Sequence, residues 1–302
     1  MIGSGGAPSL SWNLDADVRA LLSQHFMVNA LLAGTVVAVL AGAVGWYMVL
    51  RHESFAGHTL AVISFPGAAA ATLIGVSATL GYFGASLLGA LVIALVPTVG
   101  RGRGFTDRSA VVGTVQAFAL ACGVLFVSLY GGFLDSLSGY LFGSFLGVSD
   151  AQVVALLAVT LVILGVLAVV GRRLLFATVD ADVAATRGVP TRWIGVLFLV
   201  LLAAAAAAAS QITGALLVFA LLVMPAATAQ QLTARPAAGL ALSVGLALVT
   251  AWVGLGLAYF SIYPVGFYVT TVGFGGYVLV TVGRVAARRL TSTRGLLSAA
   301  RP

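Results

Sequence analysis

Between Met27 and Gly283 the chain alternates long apolar runs with short polar breaks. Each run approaches the ~20 residues that cross ~30 Å of hydrocarbon at ~1.5 Å per residue. The runs lack the every-second-residue alternation that barrel strands require, and residues 203–209 are a plain alanine stretch. The pattern therefore predicts an all-α fold, a polytopic transmembrane helical bundle. Its spans fall at 27–50, 55–79, 80–100, 108–130, 150–171, 192–209, 211–232, 237–259 and 264–283. Nine spans place the N-terminus outside and the C-terminus inside. Only Ser210 and Gln211 separate the sixth and seventh runs, so eight full spans with one half-helix is the competing count.

Two runs are internally irregular. The second contains Phe65-Pro66-Gly67 and the seventh Met224-Pro225. Each proline removes a backbone donor at a depth where no water replaces it. Segment 131–149 is too glycine-rich and interrupted for a clean span, and reads as an outside stretch dipping into the membrane edge. Upstream, Leu14, Val18, Leu21, Leu22 and Phe26 recur at helical spacing, with Asn13 as N-cap and Asp15 and Asp17 in the first turn. Residues 1–26 are thus expected to form an extracytoplasmic amphipathic segment on the membrane surface, with a disordered tail as the alternative.

One break differs from the rest. Residues 179–190, VDADVAATRGVP, read as a short exposed helix between spans. Asp180 caps it, Ala181 to Arg187 form its body, Gly188 stops it and Pro190 prevents continuation. Such a helix suits a docking role. Ala181, Ala184 and Ala185 are small enough to seat in a groove, and Arg187 can meet an acidic rim. A simple connecting loop is the alternative.

Charge supplies the orientation. All fifteen positive side chains are arginine, and all but Arg19 fall in alternate breaks or in the tail at 284–302. The positive-inside bias places those breaks and that basic tail in the cytoplasm, with 27–283 as the transmembrane domain. A chain that is 61% hydrophobic and 8% charged is not a soluble globule. The net charge of +7 does not indicate nucleic acid, because the arginines are spread along one membrane face. Cys122 is the single cysteine, which excludes a disulfide framework within the chain. With no lysine there is no GxxxxGK phosphate loop, so the chain is not itself a nucleotide-driven motor. All eight acids lie in the N-terminal segment, in the breaks or, for Asp150, at the very edge of a span, which counts against an ion-coupled carrier. A passive pathway remains, or a pump powered by a separate subunit through a docking helix.

Several ordered motifs narrow this further. Phe26-Met27 precedes Ala30-Leu31-Leu32, and Gly45 leads to Arg51. Ser54-Phe55 with Gly57 is followed by Pro66-Gly67. Asp107 to Gly113 reads DRSAVVG, and Leu141-Phe142-Gly143 reads LFG. Asp180, Ala184 and Gly188-Val189 follow the D-x-x-x-A-x-x-x-G-V pattern. Gly214 to Val218 precedes Pro225-Ala226, and Pro264 pairs with Gly266. In this order and spacing the chain resembles the permease subunit of ABC-type importers for zinc, manganese and iron, over about 26–283. The resemblance implies a multi-pass protein of the bacterial plasma membrane. Its partners would be a cytoplasmic ABC ATPase dimer, a second permease copy or paralogue, an extracytoplasmic substrate-binding protein and the lipid membrane. No cofactor would be held tightly: the partner hydrolyses ATP, and the transported metal ion is transient. The resemblance also gives Asp180, Ala181, Ala184, Ala185, Arg187 and Gly188 an ATPase-docking role.

One departure from the family stands out. The family carries an aspartate, then a histidine four residues later, just before the Pro-Gly pair, both aimed at the pathway. Here those positions are His58 and Val62. His58 is therefore the expected pathway-facing metal contact, with Val62, Pro66 and Gly67 lining the pathway beside it. A neutral histidine bonded to a neighbouring helix is the simpler reading. Three rivals to a metal importer stay open: the same architecture with a non-metal cargo or a metal-competent paralogue, an uncoupled channel or carrier, and a membrane scaffold for an extracytoplasmic complex.

Overall fold

The computed structural model describes residues 19–95, 104–130, 147–261 and 263–299. Ten helices carry the described chain: α1 His25–Leu50, α2 Ser54–Leu73, α3 Ala78–Leu95, α4 Gly104–Tyr130, α5 Asp150–Val179, α6 Ala181–Thr186, α7 Thr191–Thr213, α8 Ala215–Leu232, α9 Pro236–Tyr259 and α10 Val265–Ala299. No strand occurs among the described residues. Eight helices are long and apolar enough to span a membrane, and α8 contributes a shorter apolar stretch, Leu217–Leu232.

The long helices alternate in direction, and specific contacts show it. At one end, Asn29 Nδ2 near the start of α1 donates to Asp150 Oδ1 at the start of α5 (2.6 Å). The Tyr259 hydroxyl, closing α9, reaches Ala20 O at the same end (3.4 Å). At the other end, Arg51 reaches Thr178, Gln230 Nε2 donates to Trp46 O (2.9 Å) and the Thr281 hydroxyl donates to Gln231 Oε1 (3.1 Å). So α1, α5, α8 and α10 run one way and α9 runs back. Arg51, Arg172, Arg173, Arg187, Arg192, Arg235 and Arg284 gather at the second end, as the alternating breaks predict, and Arg19 lies at the first.

Close packing is set by glycine. A Cβ on Gly67 of α2 would lie 2.2 Å from Gly81 O of α3, and one on Gly45 of α1 would lie 2.1 Å from Leu222 O of α8. Without a hydrophobic force between helices in lipid, backbone approach of this kind carries the association. Ser243 adds a bond to Gly42 O (2.7 Å), tying α9 to α1. The helices α1, α2 and α7 form the buried centre, whereas α4 and α10 lie at the periphery.

The structure moves several expected boundaries. The sixth and seventh spans do not meet at Ser210-Gln211. The alanine-rich α7 runs on to Thr213, and the break falls at Gly214, with φ 76° and ψ 154°. That backbone region is essentially closed to residues with a Cβ. Helix α2 ends at Leu73 rather than 79, because Gly75 takes φ +77° and Val76 N bonds back to Ala71 O (2.8 Å). Pro66 is accommodated inside α2 without a break in the helix. Helix α5 has 30 residues, not the 22 expected, and carries Arg172 and Arg173 within it. Helix α10 continues past the expected end of the last span, through to Ala299. The chain is helical at 19–22, turns at Ser23-Gln24, and then enters α1. The Asn13 cap, and most of the expected loop at 131–149, lie outside the described residues.

Candidate translocation site

His58 sits in the second turn of α2. Its ring meets Phe219 of α8 edge-on, with centroids 4.7 Å apart and planes at 62°. The residue is half-buried, and its Nδ1 is shielded from solvent with no hydrogen-bonding protein partner. The adjacent Thr59 is buried, and its hydroxyl donates to Gln116 Oε1 of α4 (2.7 Å). Two contacts thus flank this turn of α2: the His58 imidazole meets an aromatic edge of α8, and Thr59 beside it is bonded to an amide of α4.

The other expected pathway residues are placed differently from one another. Val62, one turn beyond His58, is 5% exposed and packed inward. Pro66 is buried, and its ring lies 3.0 Å from where a Cβ of Gly123 in α4 would sit. Gly67 forms the α2–α3 crossing with Gly81. The structure therefore brings His58 together with Phe219 and its neighbour Thr59 together with Gln116, and leaves Pro66 and Gly67 in helix packing two turns away. The sequence reading missed Phe219 and Gln116. Gln116 had a signal, being a lone amide inside an apolar run. Phe219 had none, since an aromatic in an apolar helix looks like any other core residue.

Among the described residues, no three His, Cys, Asp or Glu side chains come together around a metal-sized point. One imidazole is an incomplete ligand set for a zinc-like cation.

At the arginine-rich end the expected short helix is present as α6. Asp180 Oδ1 accepts from Val183 N (2.9 Å), so the predicted cap is made. Gly188 takes φ +76°, and Val189 N bonds back to Ala184 O (3.0 Å). The helical body ends at Thr186, and Arg187 is the C-cap. One assignment changes. Ala184 is 0% exposed and is the anchor by which α6 rests on α5 and α7, not a groove-facing residue. The open face is formed by Ala181, Asp182, Val183, Ala185, Thr186 and Arg187.

A bundle of spanning helices with a polar contact between α2 and α4 and a capped helix offered at its basic end has the architecture of a membrane permease. Its sequence matches the ABC 3 transport family over residues 23–283, and the chain belongs to that family. It is thus the multi-pass membrane subunit of an ABC transporter, not the ATPase. It is similar to the manganese transport system membrane protein MntC of Halalkalibacterium halodurans, 30% identical over 83% of each chain. The chelated iron transport system membrane protein YfeC of Yersinia pestis is 30% identical over 79% of each chain. Among solved structures, a chain of PsaBC from Streptococcus pneumoniae in complex with Fab superposes with a TM-score of 0.77 at 26% identity. The match covers 88% of this chain and 95% of that one.

Proposed function

We propose that the chain is the permease of an ATP-driven importer for a divalent metal cation, manganese or iron first. It works with a second permease copy or paralogue, a cytoplasmic ATPase dimer docked on α6 and an extracytoplasmic binding protein. The observation that carries the coupling is α6 itself. It is a capped helix with one side anchored on the bundle and the other open, between two long helices at the basic end. The relatives named for manganese and iron transport support the cargo.

The mechanism is alternating access. ATP binding closes the ATPase dimer, α6 moves with it, and the paired permeases open to one side. His58 then offers a transient contact. Neutral imidazole is the ligand form, and two copies around a dimer axis supply two such groups. Release stays fast because neither copy completes a coordination shell. Co-reconstitution of the permease with its ATPase and binding protein tests this. ATP-dependent uptake of Mn²⁺ or Fe²⁺ into vesicles is expected, and uptake that ignores ATP would point to an uncoupled carrier instead.

A second reading rests on one observation, His58 and Val62 at the family's carboxylate and imidazole positions. Imidazole without carboxylate favours zinc and iron over manganese, which prefers oxygen ligands. Competition among Mn²⁺, Fe²⁺ and Zn²⁺ in the same vesicles separates the two, and indifference to all three would indicate a non-metal cargo.

A further inference from the structure

Arg51 stands where three elements meet. Its Nη1 donates to Thr178 Oγ1 (3.2 Å), two residues before the Asp180 cap of α6. Its Nη2 donates to Glu53 Oε1 (3.2 Å), and Glu53 is the N-cap residue of α2. The guanidinium carbon lies 5.2 Å from the Phe198 ring centroid on α7, the helix that follows α6. A Cβ added to Gly195, one turn earlier on α7, would approach Nη2 to 3.3 Å. The side chains are 15% exposed for Arg51 and 8% for Glu53, so this is not a solvated surface pair.

Sequence alone reads this arginine as one more positive-inside charge. The positive-inside bias asks only for charge near the cytoplasmic end of a span. It does not ask for burial, a threonine acceptor or an aromatic face. A planar guanidinium meets all three demands at once, because its donors form a rigid fork and its face stacks on a ring. The Thr178 hydroxyl is itself fixed, donating to Leu174 O (2.7 Å).

We propose that Arg51 is a positioning residue that couples α6 to α2, the helix bearing His58. The proposal rests on ATPase docking at α6. The two legs of α6 are α5 and α7, and Arg51 touches both. Displacement of α6 shifts Thr178 against Phe198, and the guanidinium passes that shift through Glu53 to the head of α2. Glu53 lies five residues before His58, so a rigid tilt of α2 from that end moves the imidazole against Phe219.

The test uses the whole complex in vesicles, with Mn²⁺ uptake and ATP hydrolysis measured together. Arg51→Lys keeps the charge but loses the fork and the flat stack. Thr178→Val is nearly isosteric and removes only the acceptor. In both, the ATPase is expected to stay bound and hydrolysis to continue. Mn²⁺ moved per ATP should fall by about tenfold for Arg51→Lys, within the range of typical coupling between two sites, and by less for Thr178→Val. An unchanged ratio in both variants overturns the proposal. So does an equal fall in uptake and hydrolysis that tracks loss of folded complex, since a merely structural role does that. Retention of the ATPase by a Val183→Asp variant would overturn the docking site itself, and that result is read by co-purification, independently of the ratio.

Discussion

His52 shows how much one position decides. It closes α1 with φ +56°, the one non-glycine residue at positive φ among those described. Glu53 N bonds to Met48 O (3.0 Å) and His52 N to Val49 O (3.1 Å), the paired closure that usually places glycine at this site. A side chain there costs ~1–2 kcal/mol relative to glycine's freedom. Part of that returns through the greater entropy of glycine in the unfolded chain. His52→Gly is therefore expected to stabilise the protein by up to about 1 kcal/mol, read as a higher unfolding temperature in detergent. A lower temperature would show that the imidazole makes a contact of its own. His58 faces the opposite test. His58→Ala should lower metal uptake by about tenfold or more, since even outer ligand neighbours are worth that much, and His58→Asp should keep part of it. Normal uptake in His58→Ala would remove the imidazole from the pathway.

Among the elements, α6 and the α7–α8 joint carry the clearest expectations. Because Ala184 is buried under α6 and Val183 is 44% exposed above it, charge at the two positions has different consequences. Val183→Asp should leave the permease folded and release the ATPase. Ala184→Asp buries a carboxylate and should lower the yield of folded permease as well. Co-purification with the ATPase, alongside size-exclusion profiles of the permease alone, distinguishes them. Identical behaviour of both variants would contradict the orientation of α6. At the joint, Gly214→Ala forces a Cβ into a glycine-only conformation and should cost about 1–3 kcal/mol of stability. Thermal unfolding checks this against Gly245→Ala in α9, where a Cβ would meet nothing within 4 Å.

For the molecule as a whole, the alternating contacts put the start of α1 and the basic stretch after Thr281 at opposite ends of the bundle. The positive-inside bias then assigns the arginine-rich end to the cytoplasm. Cysteines introduced at positions 2 and 300 should label from opposite sides of the membrane. Labelling from one side would mean that α8, the shorter apolar helix, does not complete a crossing.

What the sequence determined by itself was the class of molecule, the approximate spans, the grouping of arginines and the capped helix at 180–188. These rest on local signals: run length against bilayer thickness, side-chain charge, a cap aspartate and a stop glycine. The tertiary structure decided what local pattern cannot encode. It moved the α7–α8 break to Gly214, because helix propensity carries an alanine stretch through a serine and a glutamine and only backbone geometry stops it. It turned Ala184 inward, because a short helix shows no periodicity long enough to tell its two faces apart. It put Gly67 into a helix crossing, gave His58 the neighbour Phe219, 161 residues away in the chain, and gave Thr59 the partner Gln116, 57 residues away. It also converted Arg51 from one charge among fifteen into a half-buried joint between α2, α5 and α7. Contacts between distant helices arise from how apolar faces and glycine crossings fit together in three dimensions, and hydropathy along one chain holds no record of that fit.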